Sequence, residues 1–153
     1  MAEFSSSRMQ TPAGAPDAAG DRAAAGSARA RILVVDDEAP IRQFVARALT
    51  HAGDHYQVET AEDGLEALGM LSGGRFDLLV TDIVMPGLDG IELALKVAKE
   101  YPDMTILMMT GYATEKQRAY GLDHLIHKVV SKPFSLKQIC AAVKEALAAR
   151  GKA

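Results

Sequence analysis

The sequence predicts an α/β fold, a five-stranded parallel doubly wound sheet in which a βα unit is repeated five times. Two observations predict it. Short runs that are apolar at consecutive positions, as in strands buried on both faces of a parallel sheet, recur along the chain. Stretches with a helical spacing of apolar residues lie between these runs. Strands that alternate with helices in this way favour a parallel sheet with right-handed crossovers.

The strands are predicted from five runs, which in chain order are ILVV (32–35), YQVET (56–60), DLLV (77–80), TILMM (105–109) and KVVS (128–131). The second run is the weakest of the five. Each run is followed by a helical stretch, so the predicted order is βαβαβαβαβα.

Four of the helices are predicted from apolar residues spaced three or four apart, which lie on one face of a helix. In chain order these residues are Ile41, Phe44, Val45, Ala48 and Leu49; Leu65, Leu68 and Leu71; Ile91, Ala94, Leu95 and Ala98; and Leu136, Ile139, Cys140, Val143 and Leu147. The fourth helix, around residues 113–122, is weakly apolar. Pro40 suits a first helical turn, Asp89 is a candidate N-cap, and Ser135 and Gln138 have capping-box spacing.

Length and composition favour one domain. The chain has 153 residues, of which 48% are hydrophobic, and this suffices for a core of ordinary size. The formal net charge of -3 and the scattered basic residues disfavour direct binding to nucleic acid. Cys140, the single cysteine, excludes an internal disulfide, and no apolar run is long enough to span a bilayer. We therefore expect a cytoplasmic protein that does not bind membranes.

The domain is predicted over residues 30–149, between a flexible tail at 1–29 and a short C-terminal tail at 150–153. Residues 1–29 are rich in Ala, Gly, Ser and Pro and show no apolar period, which is typical of a flexible segment. The alternatives for this tail are a start left by a cloning vector and a native interaction arm.

Polar residues follow the predicted strands where each strand ends: Asp36 and Asp37 after the first, Asp82 after the third, Thr110 after the fourth and Lys132 after the fifth. The carboxyl ends of parallel strands share one edge of the sheet, where doubly wound folds have their crevice. We therefore expect these side chains to converge. Carboxylate and backbone oxygens suit Mg²⁺ better than a soft metal, and such a cation would offset the charge of the acid cluster.

Asp82 is the candidate nucleophile. It follows a buried strand and precedes a turn at Pro86 and Gly87, which leaves its side chain at the open edge. An ionised aspartate beside Mg²⁺ can attack a phosphoryl group, because the metal offsets charge on the incoming oxygens. Lys132 would pair with Asp82 before the reaction and with a phosphoryl oxygen afterwards, and Thr110 would donate a hydrogen bond to that oxygen.

Four segments, VVDDE, DLLVTDIVMPGLDG, ILMMTGYA and KPFS, resemble in order and spacing the signature of response-regulator receiver domains, the phosphoacceptors of two-component signalling. The resemblance covers residues 30–149 and implies the flavodoxin-like fold of CheY-like receivers. It also implies Mg²⁺ as cofactor and phosphorylation by a histidine kinase or histidine phosphotransferase. We therefore expect a phosphoacceptor and not an enzyme that turns over a separate substrate.

The resemblance also assigns roles to individual positions. The implied direct Mg²⁺ ligands are Asp37, Asp82 and the Val84 carbonyl, and Asp36 would act through water. Asp82 matches the phosphorylated aspartate, and Thr110 and Lys132 match the hydroxyl and the lysine that hold the phosphoryl group. The bond from Lys132 to Pro133 matches the family's cis peptide.

One position departs from the family pattern. The family's switch uses an aromatic residue on the fifth strand that turns inward on phosphorylation, and the matching residue, three before Lys132, is Val129. Tyr112 is the nearest aromatic residue that could substitute. Val84 and Tyr112 match the positions that tune dephosphorylation by admitting or blocking water. An apolar and a bulky residue there predict an acyl phosphate that is not unusually short-lived.

A closer resemblance is to stand-alone receivers of the CpdR type, which control the delivery of substrates to a ClpXP-type protease. It rests on LLVTDIVMPGLDGIELALKVAKEYPDMTILMMTGYA and on GLDHLIHKVVSKPF. The chain ends at Ala153, just after the last predicted helix, and we expect a single-domain regulator whose output is a protein-binding surface. By resemblance alone, the unphosphorylated form would be the one that promotes proteolysis.

Other interpretations of the same residues stay open. Asp36 and Asp37 could cap the first helix, Lys132 could be a solvated surface lysine, and Thr110 could satisfy a backbone group at a strand end. A phosphorelay shuttle would use the same site but pass its phosphate to a histidine phosphotransferase. A Mg²⁺ phosphatase of the haloacid-dehalogenase kind is a third class, although such enzymes place a D-x-D pattern after the first strand.

Several remaining residues could suggest a metal site, but other roles are expected for them. His124 and His127 have a spacing that could share a helical face, but no third ligand is evident, and a role at a helix end or toward a partner is expected instead. Cys140 falls on an apolar stripe, and the methionines Met85, Met104, Met108 and Met109 suit core or loop packing.

Overall fold

A computed structural model describes residues 29–52, 56–122 and 124–150. The predicted tails at 1–29 and 150–153 lie outside these residues, apart from Arg29 and Arg150. The elements in chain order are β1 (Arg31–Val35), α1 (Ala39–Thr50), β2 (Gln57–Ala61), α2 (Gly64–Gly73), β3 (Leu78–Asp82), α3 (Gly90–Glu100), β4 (Thr105–Thr110), α4 (Ala113–Ala119), a 3₁₀ turn (Tyr120–Leu122), β5 (Lys128–Ser131) and α5 (Leu136–Arg150). The predicted order of strands and helices is confirmed.

The five strands form one parallel sheet in the order β2-β1-β3-β4-β5. The chain moves outward from β1 to β2 and then returns to place β3 on the other side of β1. This reversal of direction creates a crevice at the carboxyl ends of β1 and β3. Val35 pairs with Thr81 across these two strands, so the residues that follow them, Asp36 and Asp82, reach the crevice side by side.

Successive residues of the strands point to opposite faces of the sheet, and both faces are buried. On β1, Leu33 and Val35 pack in the cluster beneath α2 and α3, whereas Ile32 and Val34 pack in the cluster beneath α1 and α5. Full burial of one such side chain contributes about 1.5–3 kcal/mol. The consecutive apolar residues that predicted the strands therefore contribute alternately to two hydrophobic cores, one on each face of the sheet.

The buried stripe of α2 differs from the predicted one. Gly64, Ala67 and Leu71 are its buried residues, Leu68 is half-buried, and Leu65 is 69% exposed. The backbone at Gly64 packs closely against Leu88, since a Cβ there would lie 2.6 Å from the Leu88 carbonyl oxygen, and a prediction that weights large apolar side chains misses such a stripe. The prediction for Leu65 was wrong for this reason.

Large apolar residues on three other helices also lie outside the cores. Leu95 and Leu136 are 46% and 55% exposed. The buried stripe of α3 instead includes Leu93 and Val97, four residues apart, and Leu95 projects to one side of it. Phe44 is 40% exposed on α1 and packs against the ring of Phe134, with the ring centroids 6.3 Å apart.

The helix ends follow the predicted capping chemistry. Pro40 lies in the first turn of α1, and Asp89 caps α3 in a capping box with Glu92. At the start of α5, the Gln138 side chain accepts from the Ser135 N–H, and the Ser135 hydroxyl accepts from the Gln138 N–H. None of the helices within the described ranges is long and apolar enough to cross a membrane.

Candidate functional site

Three carboxylates meet in the crevice at the carboxyl ends of β1 and β3. Oxygens of Asp36, Asp37 and Asp82 all lie within 4.8 Å of one another. Asp36 is fully buried and Asp82 is 6% exposed, whereas Asp37 faces solvent. Carboxylates this close repel one another and are costly to desolvate, so the cluster requires positive charge.

Lys132 supplies part of that charge. Its ammonium lies 3.0 Å from Asp36 Oδ2, 3.4 Å from Asp82 Oδ2 and 3.4 Å from Glu38 Oε1. Burial alone would lower the pKa of Lys132, but its hydrogen bond to Asp36 and the charges of Asp82 and Asp36 hold the pKa above its ordinary value. Lys132 therefore contacts Asp82 as expected, although its shorter contact is with Asp36. It is not the solvated lysine of the alternative interpretation.

The backbone around Lys132 fixes the direction of its side chain. The Lys132 N–H donates to the Thr110 carbonyl at 2.7 Å, which joins the ends of β5 and β4. The peptide bond to Pro133 is cis, as the sequence resemblance implies. The lysine thus enters the site from the strand next to β4.

The surroundings of Asp82 disfavour the ionised form of its carboxyl group. Burial, and next the charge of Asp36, raise the pKa of Asp82 to about 6, although the nearby Lys132 and the Ile83 N–H partly offset this. Asp82 Oδ1 accepts from the Ile83 N–H at 2.9 Å, and Oδ2 faces Lys132. Addition of a divalent cation would favour the ionised form.

Asp36 is held by contacts with the start of α1. Its Oδ1 accepts from the Glu38 N–H at 2.9 Å, and its carbonyl accepts from Arg42 Nη1 at 2.7 Å. The N-cap residue of α1 is Glu38, whose side chain makes no cap hydrogen bond. Asp36 therefore does not cap α1 but closes a turn just before it with one oxygen, and its other oxygen is directed at Lys132. Glu38 and Arg42 were not predicted as site residues.

A backbone hydrogen bond joins the two ends of the loop that follows Asp82. Gly87 has a φ of 74°, which confirms the turn predicted at Pro86 and Gly87. The Gly90 N–H donates to the Ile83 carbonyl at 2.8 Å. A Cβ atom on Gly90 would lie 2.0 Å from the Asp82 carbonyl oxygen, so a side chain there cannot be accommodated without movement of the backbone. Gly90 was not predicted as a site residue, and its only signal in the sequence is its place directly after the N-cap residue Asp89.

Thr110 ends β4, between the strands that carry Asp82 and precede Lys132, and Tyr112 lies in the loop that follows. Thr110 is 2% exposed, its hydroxyl oxygen accepts from the Tyr112 N–H at 3.1 Å, and the hydroxyl faces the Tyr112 carbonyl at 3.3 Å. Thr110 thus satisfies backbone groups at the end of β4, as its alternative interpretation holds. Tyr112 is 64% exposed, and Val129 is a half-buried residue of the edge strand β5 that packs against the same hydrophobic cluster as Leu33 and Val35.

An open cleft of about 480 Å³ lies over these residues, and its walls include Asp37, Asp82, Val84, Tyr112 and Lys132. Val84 is 42% exposed at the edge of this cleft. Oxygen ligands, one ammonium group and space above Asp82 fit a hard cation together with a small anionic group.

The histidines lie away from this cleft. His124 lies in a turn and His127 precedes β5, so neither is on a helix and they do not share a helical face. The His127 ring lies 3.1 Å from a Glu145 carboxylate oxygen. The half-buried Cys140 directs its sulfur at the Ala48 carbonyl at 3.7 Å, which is a packing environment.

Comparison with known proteins adds an independent line of evidence. The family model described as "Response regulator receiver domain" matches residues 32–144. Among curated proteins, the response regulators MprA of Mycobacterium avium and of Mycobacterium tuberculosis are each 39% identical over 117 residues. Each match covers 76% of this chain and 50% of the relative, so the chain spans about half the length of these relatives.

Solved structures that are similar to this chain also include response regulators. The structure of a CheY-like response regulator receiver domain protein from Methanospirillum hungatei matches with a TM-score of 0.75 at 31% identity, over 82% of this chain and 98% of that chain. The structure of the response regulator TrrA from Thermotoga maritima, in complex with Mg²⁺-BeF, matches with a TM-score of 0.68 at 36% identity, over 76% and 98% of the two chains.

Proposed function

Because the chain belongs to the response regulator receiver domain family, we propose that it accepts a phosphoryl group on Asp82 and thereby changes the affinity of a protein-binding surface. Receiver domains of this family work as phosphorylation-based switches and interact with histidine kinases or phosphotransferases. The assignment of Asp82 is carried by one observation, the meeting of Asp36, Asp37 and Asp82 with Lys132 at the carboxyl edge of the sheet.

Mg²⁺ is the proposed cofactor. The three carboxylates form an oxygen-only donor set, which Mg²⁺ prefers, and an oxygen-rich site of this kind is unsuited to a soft metal. Asp37, Asp82 and the Val84 carbonyl would hold the ion directly, and Asp36 would act through water. When bound, the ion supplies positive charge that offsets the carboxylates and the incoming phosphoryl oxygens. The similar Thermotoga protein was solved in complex with Mg²⁺-BeF, which supports Mg²⁺ as the cofactor.

The proposed reaction uses Asp82, Lys132 and Thr110. An oxygen of the ionised Asp82 attacks phosphorus, a new carboxyl–phosphate bond forms, and the bond from phosphorus to the donor's nitrogen or oxygen breaks with its electron pair on the donor. Lys132, 3.4 Å from Asp82, is placed to pair with a phosphoryl oxygen. The Thr110 hydroxyl can donate to another phosphoryl oxygen only if it leaves the Tyr112 carbonyl. That exchange would break the hydrogen bond from the Thr110 side chain to the loop between β4 and α4.

Two details of this switch are specific to the chain. Val129 stands where the family's inward-turning aromatic residue is expected, so the movement of Thr110 would act through its own loop, with Tyr112 as the nearest aromatic side chain. Val84 and Tyr112 both line the cleft above Asp82 and would restrict the approach of water. We expect an acyl phosphate that is not unusually short-lived.

The downstream role of the phosphorylated chain is also a proposal. The segments shared with CpdR-like receivers support regulation of a ClpXP-type protease, and a phosphorelay shuttle that passes phosphate to a histidine phosphotransferase is the alternative. These two roles differ in whether phosphorylation changes affinity for a partner or is followed by loss of the phosphate. Membership of the receiver family does not support the haloacid-dehalogenase interpretation.

Intact-mass measurement tests the proposed site. Incubation with acetyl phosphate and Mg²⁺ should raise the mass by about 80 Da, the mass of one phosphoryl group, and chelation by EDTA should abolish the gain. Acetyl phosphate is a direct chemical donor, so no cognate kinase is needed. A gain that persists in EDTA would contradict the metal assignment, and no gain with Mg²⁺, where a control receiver reacts, would contradict the proposal.

The affinity for Mg²⁺ should depend on pH. The metal-free pKa of Asp82 is raised to about 6, so protons compete with the metal below that value and the ionised ligand prevails above it. We expect titration calorimetry to give a nearly constant affinity from about pH 8 to about pH 7 and a fall of up to about tenfold for each unit below pH 6. A constant affinity down to about pH 5 would contradict the combination of a raised pKa of Asp82 and direct binding of the ion by its carboxyl group.

A further inference from the structure

An ion pair joins the loop after Asp82 to α4. Asp89, the N-cap residue of α3, uses its Oδ1 to accept from the Glu92 N–H at 2.9 Å and its Oδ2 to accept from Arg118 Nη2 at 2.8 Å. Burial alone would raise the pKa of Asp89, but the hydrogen bonds from Arg118 and from the Glu92 N–H hold it below its ordinary value. The carboxylate therefore has one oxygen for its own helix and one for α4.

The Asp89 end of this bridge is tied to the backbone of Asp82. The next residue, Gly90, donates its N–H to the Ile83 carbonyl at 2.8 Å. It also approaches the Asp82 carbonyl so closely that a Cβ atom would lie 2.0 Å from it. A displacement of Asp89 is therefore transmitted to the residues that flank the proposed phosphoacceptor.

The Arg118 end of the bridge lies on a helix with little apolar anchoring. Of the α4 residues whose side chains the structure describes, only Ala119 is buried, whereas Thr114, Gln117 and Arg118 are exposed. Helices in proteins are held mainly by an apolar face, so a polar contact contributes to the position of a helix that buries only one of its described side chains. α4 also begins three residues after Thr110.

We propose that Arg118 is a positioning residue that couples α4 to the phosphoacceptor loop through Asp89, so that occupancy of the site at Asp82 changes the dynamics of α4. The proposal rests on the proposed function. The coupling has two routes into α4: the backbone that follows Thr110 at its start, and the ion pair with Asp89 near its end. Because coupling between two sites is reciprocal, anything that fixes α4 also acts on the affinity of the site.

The simpler interpretation is that the pair is an exposed ion pair with a local effect on stability only. The side chains of Arg118 and Asp89 are 46% and 21% exposed, so local stability alone does not distinguish the two interpretations. The response of α4 to a phosphoryl mimic does, because a purely local contact changes α4 equally with and without the mimic.

The test is amide hydrogen exchange of residues 112–122 with and without Mg²⁺ and beryllofluoride, in the wild type and in Arg118→Met, Asp89→Asn and the double variant. Asn remains a good N-cap but removes the charge that Arg118 contacts. ¹⁹F NMR of the same samples reports whether beryllofluoride is bound. Lys96→Met, which removes an exposed cation from α3, is the matched control, and Arg118→Lys tests partial rescue by a cation.

We expect the mimic-induced change in exchange to shrink about two- to fivefold in either single variant, with no further loss in the double variant. Lys96→Met should respond like the wild type, and Arg118→Lys should recover part of the response. An undiminished response in Arg118→Met and Asp89→Asn, with beryllofluoride bound, would overturn the coupling alone. Absence of a bound ¹⁹F signal in the wild type would overturn the proposed function, and the coupling with it.

Discussion

Replacement of Asp82 by Asn is expected to abolish phosphorylation by acetyl phosphate completely. Asn keeps the shape of the side chain but provides no ionised oxygen to attack phosphorus. The neutral amide also relieves the repulsion with Asp36, so the variant should fold at least as stably as the wild type in the absence of metal. The measurement is intact mass after incubation with acetyl phosphate and Mg²⁺.

Asp103→Asn is the matched control for this loss. Asp103 is an exposed aspartate in the turn before β4, away from the site, and its replacement should leave the mass gain of about 80 Da unchanged. Thermal unfolding of both variants separates loss of the nucleophile from loss of the fold. A mass gain that survives in a folded Asp82→Asn variant would assign the phosphoryl group to another residue.

Among the substitutions proposed for this protein, replacement of Gly90 by Ala is expected to lower the free energy of unfolding most. The added Cβ would lie 2.0 Å from the Asp82 carbonyl oxygen and 2.8 Å from the Ile83 Cα atom, and both are backbone atoms that cannot rotate away. Overpacking of a tight site costs about 1–3 kcal/mol, occasionally more, and we expect the upper end of that range in urea unfolding. The displaced backbone should also slow phosphorylation of the molecules that remain folded.

Gly69→Ala is the internal comparison for this effect. Gly69 lies within α2, and a Cβ there would meet nothing within 4 Å. Alanine is the better helix former by about 1 kcal/mol, so this variant should be as stable as the wild type or more stable. Equal unfolding free energies for the two variants would mean that the contact between Gly90 and Asp82 is relaxed in solution.

The strands and the site edge could be predicted from sequence because two simple rules determine them. Parallel strands buried on both faces need consecutive apolar residues, and their carboxyl ends meet at one edge of the sheet. The position of Asp36, Asp82 and Lys132 in the chain, directly after such runs, therefore implied that they would lie together. The structure places the Lys132 ammonium within 3.4 Å of both carboxylates.

The exposed leucines could not be predicted in the same way. A periodic pattern specifies which residues share a helix face, but the depth of each residue depends on how closely the helix approaches the sheet. The buried stripe of α2 includes the small residues Gly64 and Ala67, and Leu65 lies outside the core. The contact between Gly90 and Asp82 was missed for a related reason, since a glycine required by close packing has no side chain to indicate its neighbour.

The bridge from Asp89 to Arg118 was also not predicted. Its partners are 29 residues apart and lie on helices whose relative position depends on the whole sheet. The sequence indicated only that Asp89 would cap α3. Long-range ion pairs between exposed side chains follow no local pattern, so the structure was needed to find this one.

Reductive mapping of the phosphorylated residue tests the central claim most directly. Borohydride converts an aspartyl phosphate to homoserine, and peptide mass spectrometry then locates the converted residue in protein treated with acetyl phosphate and Mg²⁺. We expect homoserine at position 82, and none in a parallel sample containing EDTA. Homoserine at Asp36, Asp37 or another acidic residue, with Asp82 unchanged, would contradict the assignment of Asp82 as the phosphoacceptor.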